Sequence, residues 1–233
     1  MEVFGEMAEE GKKTVTRGVV VEFDFTVMDG AQVLFDTAKS LLATKGIDLT
    51  PKLEALHLVG GNYHGGLAEL FSKLGKKCDA GTAARELGEA FAKAVDERAV
   101  AAMTPDFKAF VRTLTDKGIK VVVATRANVE ALAPAFAEFD PEKVVLYAEP
   151  SMTYGNCKWD AWRRAYSQNG LVDVLTVAVA GSGAGVKSAL VAGMGVIAVV
   201  HGHVAYQDFG GADVVAEVVN AKLATEVLRM LHA

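Results

Sequence analysis

Apolar residues in this chain gather in short, nearly continuous runs rather than in strict alternation with polar ones. "GVVVEF" (18–23), "IKVVVA" (119–124), "KVVLY" (143–147), "VLTVAVA" (174–180), "GVIAVV" (195–200) and "ADVVA" (212–216) are rich in Val. Such runs predict strands buried on both faces, as in a parallel sheet covered by helices. Between them the period changes. Leu87, Ala90, Phe91, Ala94 and Val95 recur at helical spacing, and so do Phe107, Phe110, Val111 and Leu114. Gly118 and Gly170 each close a helix ahead of a strand, and "VAGMG" turns a third helix into the next strand. The alternation predicts an α/β fold with a Rossmann-like parallel sheet core.

The spacing of the runs is uneven. Roughly 95 residues separate the first from the second, whereas the later ones follow at the intervals of strand–helix units. The long interval carries helical patterns, with "LVGGNYHGGL" (58–67) as a loop-like break in its middle. The first crossover is therefore expected to be expanded into a small helical domain. This gives an arm over 1–17, a core over 18–35 and 105–233, and a helical cap over 36–104 inserted after the first strand.

Composition narrows the partners more than the fold. The chain has 233 residues, 51% hydrophobic and 23% charged, enough for one large domain with an insert. A net charge of -5 offers no basic excess to release phosphate counterions, which argues against nucleic acid and leaves small molecules or proteins as partners. Cys78 and Cys157 lie far apart with no ligand spacing, so neither a disulfide framework nor a zinc site is read. The first 17 residues are charged and lack a hydrophobic signal core, and no apolar stretch reaches membrane-spanning length. A cytoplasmic protein without a membrane partner is expected, with homo-oligomerisation left open.

Ligands of open α/β sheets bind beyond the carboxyl ends of the strands. Those ends carry Glu22, Asp24 and Thr26 after the first run, Thr125 after the second, the region before Lys158, and "AGSGAG" after "VLTVAV". Structural roles stand beside chemical ones. Glu22 is either a site carboxylate or a strand-end group facing solvent or paired with Lys158. Asp29 caps the turn that follows, and Thr125 caps the next helix. "AGSGAGVKS" is no P-loop, because Val186 separates Gly185 from Lys187, and it fails the dinucleotide pattern too. It reads as a Gly-rich turn able to accept an anion. Trp159, Trp162 and Tyr166 form one stripe expected to pack on the sheet, leaving Arg163 and Arg164 in solvent. His57, His64, His201 and His203 show no metal spacing.

The pattern E-x-D-x-T-V-x-D of Glu22, Asp24, Thr26, Val27 and Asp29 resembles the first motif of the haloacid dehalogenase superfamily, D-x-D-G-T-[LV]-x-D. "VVVATRAN" resembles the second motif, Lys158 the lysine of the third, and "VAVAGSGAGVKSALVAGMGVIAV" the fourth. The late "FGGADVVAEV" is also similar to the family, and the resemblance runs from residue 18 to 233. The insert resembles the helical cap of the β-phosphoglucomutase and phosphonatase-like branch.

The resemblance implies a HAD fold, a phosphorylated small molecule or a protein as partner, and Mg²⁺ as cofactor. It places Glu22 where the family has its nucleophilic, metal-binding Asp, and Asp24 where it has its general acid and base. Thr26, Thr125, Arg126 and Lys158 become phosphate-binding residues, and His64 in the cap a substrate contact. Three positions depart from the pattern: Glu22 replaces Asp, Phe25 replaces Gly, and Gly181 stands where a metal-binding Asp is expected. Glu adds a methylene and displaces the nucleophilic oxygen by roughly 1 Å, which can cost on the order of a hundredfold in rate. Losing one of two carboxylates weakens an Mg²⁺ site. The expectation is a pseudo-phosphatase that acts by ligand or protein binding. The alternative is an active Mg²⁺-dependent phosphatase or phosphonatase-like hydrolase of a small phosphorylated metabolite.

Overall fold

The structure is a computed structural model that describes residues 16–58, 62–148 and 159–232. The expected N-terminal arm up to residue 15, the 59–61 part of the expected loop, and Lys158 lie outside the described residues.

Six strands form one sheet in the order β3-β2-β1-β4-β5-β6. They are β1 (Gly18–Glu22), β2 (Lys120–Thr125), β3 (Val144–Ala148), β4 (Thr176–Ala180), β5 (Gly195–Val199) and β6 (Val214–Ala216). Every neighbouring pair is parallel. The Val-rich runs thus become the sheet, and β1 lies inside it between β2 and β4. Side chains leave alternate faces. Val19 and Val21 join the larger core with Val121, Val123, Val177 and Val179. Val20 joins the second core with Val122, Ala124, Ala178 and Ala198. Burial on both faces holds for β1, β2, β4 and β5. It does not hold for β3 and β6, which are partly exposed because each is an edge strand with a neighbour on one side only.

The long interval between β1 and β2 is helical, as expected. After the single turn α1 (Phe23–Thr26) come α2 (Gly30–Ala43), α3 (Pro51–His57), α4 (Tyr63–Lys73), α5 (Ala80–Ala99) and α6 (Pro105–Thr115). Helix α2 enters so close beneath α1 that a Cβ on Gly30 would sit 2.2 Å from the Asp24 carbonyl oxygen. Only glycine fits that approach.

Residues 63–67, expected as loop, are instead the start of α4. The Asn62 side chain accepts from the Gly65 N–H at 2.7 Å and caps the helix, whose Tyr63, Leu67, Leu70 and Phe71 make a buried stripe. The glycines that read as a break serve packing: a Cβ on Gly66 would lie 1.6 Å from the His57 carbonyl oxygen.

Beyond β2 follow α7 (Val129–Leu132), α8 (Trp159–Ser167), α9 (Gly183–Val191) and α10 (Ala221–Met230). Gly118 ends α6 with φ 73°, and Ile119 N–H returns to the Leu114 carbonyl at 3.0 Å. On α8, Trp162 is fully buried and bonds Ser188 through its indole N–H at 3.1 Å. Trp159 departs from the expected stripe. It is 47% exposed because it opens the helix rather than lying over the sheet.

Candidate functional site

The site is built where β1, β2 and β4 end. Strand β1 finishes on Glu22, and the chain turns at once into α1, whose Thr26 hydroxyl donates to the Glu22 carbonyl oxygen at 2.8 Å. Glu22 neither faces solvent nor protrudes. It is 1% exposed, because an interior strand that runs directly into a packed turn leaves its last side chain inside. Its Oε2 accepts the Gly181 N–H at 3.0 Å. Burial pushes the Glu22 carboxyl up to about 7. The Arg126 guanidinium and the Gly181 N–H pull it down, and Asp24 adds to the rise.

Asp24 is fully buried and fully engaged. Its Oδ1 accepts the Thr125 hydroxyl at 2.6 Å, and its Oδ2 accepts the Arg126 backbone N–H at 2.8 Å and the Arg126 Nη1 at 3.2 Å. Both charged side chains are 1% exposed. The guanidinium carbon lies 4.9 Å from the centre of the Phe25 ring and 5.7 Å from that of Phe91 on α5. These distances place the cation in an aromatic bracket. The two rings are themselves 5.9 Å apart.

Other strand-end groups turn inward in the same way. Thr125 does not cap the next helix: Asn128 does, its side chain accepting from Glu130 and Ala131. The Thr125 hydroxyl instead bridges Asp24 and the Ala127 N–H. Asp29 takes its expected capping position, accepting from the Gln32 N–H at the start of α2.

In the glycine-rich turn after β4, Gly181 N–H goes to Glu22, Gly183 N–H to Gln207 Oε1 at 2.8 Å, and Gly185 N–H to Ser182 Oγ at 3.0 Å. These three N–H groups, which could otherwise receive an anion, have protein acceptors. At Gly181 there is no room for a side chain, since a Cβ would meet the Phe25 carbonyl oxygen at 2.0 Å. Lys158 lies outside the described residues, and His64 is exposed on α4 beside Gly81 at the start of α5.

The helices of the insert close over this end of the sheet. Glu54 on α3, 1% exposed, pairs with His203 beyond β5 at 2.9 Å, and the His203 ring lies 5.2 Å from that of Phe35. Burial holds the Glu54 carboxyl above its ordinary range against the pull of His203. His201 Nε2 lies 3.2 Å from the Thr26 carbonyl oxygen. The cavity among Phe25, Leu34, Glu54, Ser182 and His203 is about 20 Å³, room for one water, whereas small-molecule sites run to roughly 300–1,000 Å³.

Glu54 and Gln207 escaped the sequence reading altogether, and Phe91 entered it only as one position of a helical stripe. The partners of Glu54, Phe91 and Gln207 stand 149, 66 and 24 residues away, so no local spacing marks these contacts.

These donors do not fit a magnesium ion. Mg²⁺ asks for free oxygens in near-octahedral array. Both Asp24 oxygens are committed, one of them to a fixed cation, and the Glu22 carboxyl is shifted toward its neutral form. Gly181 supplies no side-chain oxygen. Among the described residues, no three His, Cys, Asp or Glu side chains converge to hold a metal.

No protein-family model matches the chain, and neither does any curated protein. Solved structures do. CbbY from Rhodobacter sphaeroides in complex with phosphate is 20% identical, with a TM-score of 0.61 over 90% of this chain and 96% of that one. The β-phosphoglucomutase from Clostridium difficile is 15% identical, with a TM-score of 0.69 over 94% and 97%. A phosphonoacetaldehyde hydrolase-like protein from Oleispira antarctica is 17% identical, with a TM-score of 0.63 over 94% and 95%. The chain therefore has the haloacid dehalogenase fold with an inserted cap, and at these identities the likeness is one of fold.

Proposed function

We propose that this HAD-fold protein does not turn over phosphate esters and works by binding. One observation carries the reading. Thr26, Thr125 and Arg126, the described residues that the resemblance assigns to a substrate phosphate, donate to Glu22 and Asp24 of the same chain. The N–H groups of Gly181, Gly183 and Gly185 are spent likewise. A phosphate would have to displace short, buried hydrogen bonds, and leaving such groups unpaired costs roughly 1–3 kcal/mol each, more where they are charged.

Binding then falls to the outer surface. A concavity of about 740 Å³ opens at the carboxyl ends of β5 and β6, lined by Val200, His201, Ala205, Phe209 and Glu217. It offers space to a protein segment or a small molecule two and three strands along the sheet from β1. Among the described residues no helix is long and apolar enough to cross a membrane. The cytoplasmic location belongs to the proposal, supported by the free thiol of Cys78.

The second reading is an Mg²⁺-dependent phosphatase or phosphonatase-like hydrolase. It is favoured by the contact of Asp24 with Thr125 and by the fold's company of mutases and hydrolases. It requires Arg126 to leave Asp24 before catalysis. Purified protein incubated with MgCl₂ and a panel of sugar and small-acid phosphates decides between them. No release of phosphate above the Asp24→Asn control is expected. Turnover that the control abolishes overturns the proposal.

A further inference from the structure

We infer that the Arg126 guanidinium is the resident cation of this carboxylate site, standing where the resemblance to the superfamily places a divalent metal. The inference deepens the binding-only reading above and rests on it for the absence of metal-dependent turnover, but its own test reads metal binding and not hydrolysis.

Two carboxyl groups, Glu22 and Asp24, are brought within a buried pocket at the end of β1, and such a pair needs a counter-charge. The chain provides one. Arg126 follows Thr125 at the end of β2, where the strand register sets Glu22 beside Ala124. From there its backbone N–H and its Nη1 both reach Asp24 Oδ2, so one residue grips the carboxylate twice. The same guanidinium is the strongest influence that holds the Glu22 carboxyl down against burial. A single positive group thus serves both acids.

The remaining features of the pocket suit an organic cation and oppose an ion. Phe25, in the position that resembles a family glycine, presents its ring to the guanidinium at 4.9 Å, and Phe91 closes the other approach at 5.7 Å. A planar guanidinium is weakly hydrated and stacks on aromatic faces. Mg²⁺ sheds water reluctantly and keeps several waters in its shell, for which these rings offer no partner. Gly181 completes the exchange. With the charge supplied by Arg126, a third carboxylate has no work to do, and the Phe25 carbonyl fills the space its Cβ would need. The three departures from the motif, at Glu22, Phe25 and Gly181, then describe one substitution of cation by cation.

The experiment uses the full-length protein and two probes, MgCl₂ and MnCl₂. Thermal unfolding of the wild type is followed in EDTA and in each salt, with KCl matched for ionic strength, and Mn²⁺ binding is followed by electron paramagnetic resonance. A site filled to about a hundred times its Kd would raise the midpoint by roughly 5–10 °C in a chain of this size. The wild type is expected to show neither that rise nor bound Mn²⁺, and either result overturns the inference. Arg126→Met is expected to unfold at lower temperature and to acquire Mn²⁺ binding that Asp24→Asn/Arg126→Met loses again. A folded Arg126→Met that ignores Mn²⁺ overturns the inference as well. If that variant does not fold, the wild-type measurements still decide. The two proposals fail separately: turnover in EDTA sinks the binding-only reading alone, and Mn²⁺ bound without turnover sinks this one alone.

Discussion

Arg126 Nη1 lies 3.2 Å from Asp24 Oδ2, with both side chains 1% exposed, so an ion pair is sealed where the sheet would otherwise open to a ligand. Breaking such a pair from one side strands a buried charge and costs roughly 3–5 kcal/mol. Arg126→Ala and Asp24→Asn are each expected to destabilise by that order. The double variant is expected to lose less than the sum, by at least about 1 kcal/mol, since each single change already removes the shared interaction. Urea denaturation of the four proteins measures the coupling; strictly additive losses would show that the pair does not act as a unit.

Glu22 makes stability fall as pH rises. Its folded carboxyl titrates at about 7 against 4.5 in the open chain, so between those values the folded state keeps a proton that the unfolded state has released. The contribution favours folding below about 4.5, declines through the interval and is flat above about 7. At 1.36 kcal/mol per unit the decline is of the order of 3 kcal/mol. Glu22→Gln retains an acceptor for the Gly181 N–H and removes the titration. The stability difference between wild type and variant, measured from pH 4 to pH 8, is expected to grow in the variant's favour by that order. A difference independent of pH would mean that Glu22 ionises freely.

Restoring a carboxylate at Gly181 is expected to harm the protein rather than revive it. The 2.0 Å approach of the Phe25 carbonyl to a Cβ there involves backbone, which cannot swing aside as a side chain would. Even Gly181→Ala should cost about 1–3 kcal/mol through overpacking. Glu22→Asp with Gly181→Asp should fold less stably still and release no phosphate. A double variant as stable as wild type would show that α1 yields easily.

Phe91 brings an inserted helix against the ion pair. It is fully buried on α5 against Phe25 and over Arg126. Phe91→Ala is expected to cost about 3–5 kcal/mol, and hydrogen exchange should speed up at Arg126 and Asn128 as well as along α5. Acceleration confined to α5 would mean that the ring supports its helix alone.

Much of this arrangement is legible from local pattern. Six apolar runs became six strands because a short, nearly continuous apolar run marks a strand even where, as in β3 and β6, it lies at the edge of the sheet. Asp29 reads as a helix cap because the N–H it accepts from, that of Gln32, lies three residues on. The misread segments failed where packing overrode composition. Gly65 and Gly66 look like a break, yet they open α4 because Asn62 caps it and Gly66 must pass the His57 carbonyl.

By itself, the sequence determined the α/β architecture, the helical insert after β1 and the gathering of Glu22, Asp24, Thr26 and Thr125 at strand ends, since periodicity and strand direction settle all three. The orientation of those groups required the tertiary structure. Arg126 meets Asp24 across 102 residues and Gly181 meets Glu22 across 159. Whether a hydroxyl or a guanidinium points to a ligand or to a neighbouring carboxylate depends on distances between strands, and on how closely the helices of the insert press down upon them.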